Sequence, residues 1–67
     1  MAGKKVEYAG WCREFQRDPD GNLCVWNAGG TVFATKGEAL AHAAGIGQQE
    51  LDAGMCDDFE VYAEEVA

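Results

Sequence analysis

The sequence predicts a small α+β domain: an antiparallel sheet of three or four strands, opened by a β-hairpin, packed on one main α-helix at 36–45. A short second helical turn at 48–53 and a C-terminal strand complete the expected fold. Three observations carry this. The string DPDGN separates two runs rich in aromatic and β-branched residues, the string TKGE opens an Ala-rich run, and the last dozen residues alternate apolar and acidic side chains. Sixty-seven residues suffice for one domain, 1–67. A chain of that length buries only about 60% of the surface its unfolded form exposes, so its core is thin. Seven aromatics, Tyr8, Trp11, Phe15, Trp26, Phe33, Phe59 and Tyr62, favour a packed domain over a disordered one.

Residues 4–8 alternate around Val6 and Tyr8 and read as a short strand, with Gly10 marking a bulge or bend. A strand at 11–17 then pairs with a strand beginning at Leu23. Between them Pro19 presets the first turn position, Asp20 suits the second and Gly21 accepts positive φ, the pattern of a type I turn followed by a G1 bulge. A three-residue loop pairs Asp18 with Asn22 and sets Phe15 opposite Val25, Glu14 opposite Trp26, Gln16 opposite Cys24 and Cys12 opposite Ala28. One hairpin face carries Trp11, Phe15, Leu23 and Val25, interrupted by Arg13 and Arg17, and is expected to face the core. The other carries Cys12, Glu14, Gln16, Cys24 and Trp26.

Ala28, Gly29 and Gly30 read as a second turn, followed by a short strand at 31–34. Thr35 is an N-cap and Glu38 stands three residues on, a capping box that starts the helix at Lys36. Ala39, Leu40, Ala43, Ala44 and Ile46 line one face with small side chains, which brings the helix close to the sheet; Gly45 and Gly47 are expected to end it. Leu51 anchors the second helical piece and Gly54 stops it. Phe59, Val61 and Ala63 alternate with Glu60, Tyr62 and Glu64 as a strand does, while Phe59, Tyr62, Ala63 and Val66 also fit a helical stripe; the cluster of Phe, Val and Tyr favours a strand at 58–63 over a helix.

Charge divides the chain. The formal net charge is −7, yet all five bases lie at or before Lys36, and everything after it is acidic: Glu38, Glu50, Asp52, Asp57, Asp58, Glu60, Glu64 and Glu65. Such a surface repels phosphate backbones and anionic membranes and attracts basic proteins. Solubility is the alternative use of the same charge. No run approaches the apolar length of a membrane span, and the N-terminal residues lack the apolar core of a signal peptide, so a cytoplasmic protein is expected. Cys12, Cys24 and Cys56 are an odd count with no C-x-x-C pair, which points to free thiols in a reducing compartment rather than a disulfide scaffold. Their long spacing also fits poorly to a zinc site completed by His42.

Residues 40–51, LAHAAGIGQQEL, resemble the middle of a repressor-type helix-turn-helix. That resemblance implies Gln48 and Gln49 as base-reading residues, although Glu50, Asp52, Asp57 and Asp58 follow with no base among them. Residues 17–43, with RDPDGN, a strand and FATKGEALAHA, resemble the sheet-then-helix arm domains of phage-type integrases, which implies hairpin-to-strand-to-helix topology. For catalysis the inventory is poor: one His, no Ser, and Thr31 and Thr35 in a strand and a cap. No cofactor and no enzymatic activity are expected. The expected function is therefore a non-enzymatic acidic interaction module that binds a basic, nucleic-acid-binding protein, as a monomer or small homo-oligomer, without touching nucleic acid or membrane itself. In its sharpest form it is a DNA mimic, comparable in size and charge to small phage-encoded inhibitors such as anti-CRISPR proteins. The candidate contact residues are Glu50, Asp52, Asp57, Asp58, Glu60, Glu64 and Glu65, with Trp26 as an aromatic contact. The alternatives are a transcriptional or recombination accessory protein using 40–51, and a metal or redox domain built on the cysteines.

Overall fold

A computed structural model describes residues 5–66. The chain is a three-stranded antiparallel sheet covered on one face by a single helix: β1 (Glu7–Arg17), β2 (Leu23–Phe33), α1 (Lys36–Asp52) and β3 (Asp58–Val66), with sheet order β2-β1-β3. The first strand starts at Glu7; of the strand expected at 4–8, Lys4 lies outside the described residues.

The hairpin register is the one the turn chemistry dictates: Phe15 pairs with Val25, Glu14 with Trp26, Gln16 with Cys24 and Cys12 with Ala28. Asp18 N donates to Asn22 O at 2.9 Å, and Gly21 has φ 87°. No second turn forms at 28–30. Gly29 and Gly30, with φ 103° and 93°, make a bulge in one long strand, so Gly10 pairs with Thr31 while Trp11 pairs with Gly29. Absorbing one extra residue without breaking the ladder merges the two strands expected on either side of 28–30 into β2.

The helix starts where its cap requires. Glu38 N donates to Thr35 Oγ1 at 3.2 Å, and the Thr35 hydroxyl donates to Glu38 Oε1 at 2.8 Å, so the reciprocal bond joins the two side chains. It does not end at 45, and no separate turn exists at 48–53: α1 is one helix of 17 residues. Gly45 and Gly47 are not among the positive-φ glycines. Gly47 serves packing, since a Cβ there would lie 2.6 Å from ring atoms of Phe59. The stop is Gly54, with φ 75°: Gly54 N donates to Leu51 O at 3.1 Å and Met55 N to Glu50 O at 2.9 Å, a Schellman motif.

Small side chains on both layers set the core. Ala39, Ala43 and Gly47 are the buried residues of α1. They approach so closely that a Cβ on Gly10 would overlap the Ala39 carbonyl group. Gly10, Cys12 and Glu14 of β1 lie beneath the helix, and all three are buried. The expected core face is therefore inverted. Trp11, Phe15, Leu23 and Val25 lie on the open side of the sheet, because the alternation that sets Gly10 against the Ala39 backbone turns them away from the helix, whereas the face of Cys12 and Glu14 is covered. The smallest Cα extent of 12 Å is that of two packed layers, with no third layer over the open face.

Candidate functional site

Alternation along β3 sorts the acids by face. Asp58, Glu60 and Glu64 pair with Phe15, Arg13 and Ala9 of β1 and share the open side, whereas Glu65 pairs with Tyr8 on the helix side. Three carboxylates thus stand along an edge strand, the first two one strand repeat apart, about 6.8 Å. Arg13 Nη1 donates to Glu60 Oε1 at 2.8 Å, and its guanidinium carbon lies 5.2 Å from the Tyr62 ring centroid. Trp11 Nε1 donates to Glu64 Oε1 at 3.0 Å. Among the described residues Arg13–Glu60 is the single salt bridge; both partners are largely exposed, so it contributes about 1 kcal/mol at most.

The remaining acids gather where α1 ends and β3 begins. Asp57 Oδ2 accepts from Arg17 N at 2.9 Å, and Asp57 N donates to Phe15 O at 2.8 Å, locking the strand entry onto β1. Asp52 Oδ1 accepts from Gln48 Nε2 at 2.8 Å. The last turn of α1 holds Glu50 and Asp52 and no base. Carboxylates at the negative end of a helix dipole cost roughly 0.3–1 kcal/mol each. The structure thus joins Asp58, Glu60 and Glu64 along one face of β3 with Asp57 at its entry, keeps Glu50 and Asp52 on the helix that covers the opposite face, and leaves Glu65 on that covered side. Trp26 also faces the helix side, half-buried beside Glu14, away from the acidic edge.

Gln48 and Gln49 are exposed on a continuous helix. The turn that the helix-turn-helix resemblance requires at 45–47 is helical, and Gln48 is held by Asp52.

A buried polar cluster lies on the covered face, where the inverted core placed it out of reach of the sequence reading. Glu14 is 0% exposed, and neither carboxylate oxygen has a hydrogen-bond partner. Cys12 and Cys56 are buried close to it. Burial first, then the negative charge of Glu14, pushes the Cys12 thiol up to about 11, and the same two causes raise Cys56. Both thiols are therefore protonated at neutral pH and weak as nucleophiles or metal ligands. Among the described residues no three His, Cys, Asp or Glu side chains are grouped to hold a metal ion. The sequence did contain a signal for this cluster: the small face of α1 has to meet the small face of the hairpin, and that face includes Glu14.

The thiols give a direct check. Cys24 is exposed while Cys12 and Cys56 are buried, so a thiol-alkylating reagent at pH 7–8 modifies Cys24 alone in the folded chain and all three in denaturant. Raised folded-state thiol pKa values mean that the native state holds protons the unfolded state releases. The associated stability is whole below about pH 9 and is lost as pH rises through about 11. Rapid native labelling of all three cysteines at pH 7 overturns this placement.

No described helix is long and apolar enough to cross a membrane. Comparison with protein-family models, with curated proteins and with solved structures finds no match to this chain.

Proposed function

We propose that this chain is a non-enzymatic interaction module that binds a basic, nucleic-acid-binding protein through the acidic run of Asp57, Asp58, Glu60 and Glu64, extended by Glu50 and Asp52 at the end of α1. The carboxylates stand in for backbone phosphates in the partner's nucleic-acid groove, as a phage-type inhibitor would use them. One observation carries the reading: Asp58, Glu60 and Glu64 share one face of an exposed edge strand, and among the described residues only Glu60 is met by a cation, Arg13. The acids at the end of α1 support it. Two carboxylates kept against a helix dipole weaken the fold, which solubility alone does not require, since the same charges placed elsewhere would serve equally.

A pull-down from host lysate names the partner, and a titration with it tests the reading. Binding weakens as ionic strength rises, because the attraction is screened over about 10 Å at 0.1 M salt. The triple variant Asp57→Asn, Asp58→Asn, Glu60→Gln loses affinity by about tenfold or more, with each lost contact counted as a surface charge pair. Unchanged affinity in that variant, with the fold intact by circular dichroism, removes the proposal.

A further inference from the structure

The two edges of the sheet differ in kind. With order β2-β1-β3, both β2 and β3 expose a row of backbone N–H and C=O groups. β3 carries Asp58, Glu60, Glu64 and Glu65, whereas β2, LCVWNAGGTVF, contains neither a charged residue nor a proline. Leu23, Val25 and Val32 of β2 are 51%, 49% and 45% exposed. Edge strands in soluble monomers are ordinarily blunted by charge, proline, shortness or a bulge. β2 has only the Gly29–Gly30 bulge, which leaves 23–28 as a regular, uncharged run in which Asn27 is the one polar side chain.

We infer that a second copy of this chain pairs antiparallel with β2 along 23–28, making one six-stranded sheet. The charge distribution selects this occupant and this edge. Each copy carries −7, so two copies meeting at β3 would set carboxylate against carboxylate. Packing open face on open face would bring the acidic lane of β3 over either the apolar lane of β2 or its own counterpart. Pairing through β2 keeps all of those acids at the two outer edges. An antiparallel two-fold matches faces only when residues of one face stand opposite each other, which puts Val25 or Trp26 on the axis. With Val25 on the axis, Val25 faces its own counterpart on the open side, and Leu23 stands opposite Asn27 of the other copy and diagonal to its Val25. Five paired residues, 23–27 about Val25 or 24–28 about Trp26, fall short of the roughly 1,000 Å² of a stable interface, so the dimer is weak and concentration-dependent.

Sedimentation equilibrium of the full chain, from micromolar to millimolar concentration, tests this. The apparent mass rises from 7.2 kDa towards twice that value, and the dimer tightens with added salt, because screening relieves repulsion between like-charged copies. That salt response is opposite in sign to the one expected for the basic partner, so the two readings fail separately. Val25→Lys weakens dimerisation by about tenfold or more with an unchanged circular dichroism spectrum, and Glu60→Gln on the other edge leaves the β2 contact in place. Amide exchange in β2 slows as concentration rises, a readout independent of any variant. A chain monomeric throughout the range, concentration-independent β2 exchange, or a Val25→Lys chain that folds and dimerises like the parent overturns the inference.

Discussion

Replacing Gly10 by alanine is expected to cost about 3 kcal/mol or more, at the upper end of overpacking substitutions. The methyl group would overlap the Ala39 carbonyl and sit 2.6 Å from its carbon, and the obstacle is helix backbone, which no rotamer change can move. Relief requires α1 to lift off the sheet. That would open the contacts of Ala43 with the sheet and of Gly47 with Phe59, because all three helix positions belong to the same buried stripe. A domain of this size holds roughly 3–10 kcal/mol in total, so most of the stability is at stake. Urea unfolding of Gly10→Ala measures it, and Gly37→Ala, where a Cβ meets nothing within 4 Å, is the matched control. A Gly10→Ala midpoint equal to that of the control would show that the helix does not sit this close.

The opposite sign is expected at Glu14. A wholly buried carboxylate whose oxygens face only the weakly donating Cys12 and Cys56 thiols has given up its hydration for little in return, and Glu50 adds a like charge on the same side of the cluster, where it also raises both thiols. Methionine has similar length and no polar group to satisfy. Glu14→Met therefore stabilises the fold by about 1–4 kcal/mol, the range seen when buried ionic groups give way to apolar ones. It also lets the Cys12 and Cys56 thiols fall back towards their ordinary range, since the Glu14 charge is the second cause holding each of them up. Chemical unfolding and ultraviolet titration of the thiolates read the two effects independently. Destabilisation by Glu14→Met would mean that the carboxylate has a partner worth more than its burial costs.

Glu14 also shows why the sheet was harder to read than its hairpin. The turn fixes the register, and register fixes which residues share a face, but nothing local says which face the helix covers. Bulk suggested Trp11, Phe15, Leu23 and Val25. The helix decides otherwise: Ala39 closes on Gly10 with no room for a ring there, and the ring that does enter between the layers, Phe59 of β3, is admitted by Gly47. The acidic run follows the same logic. Its members were legible as acids, and their grouping depended on strand parity: Asp58, Glu60 and Glu64 fall on one face and Glu65 on the other. Trp26, drawn to the helix side by its pairing with Glu14, leaves the contact set.

The sequence by itself determined the α+β class, the hairpin with its residue-by-residue pairing, the start of α1 at Lys36 behind the Thr35 cap and the strand at Asp58. Each of these follows from chemistry spanning a few neighbouring residues: a turn, a cap, an alternation. Only the tertiary structure decided where α1 ends, that β2 runs unbroken through Gly29 and Gly30, which sheet face is the core, and that Glu14 is buried between two thiols. In each case glycine or a small side chain permits more than one local conformation or contact. The choice falls to what packs against it: the Phe59 ring beside Gly47, the Trp11 ring 2.8 Å from where a Gly30 Cβ would stand, and the backbone of Ala39 against Gly10.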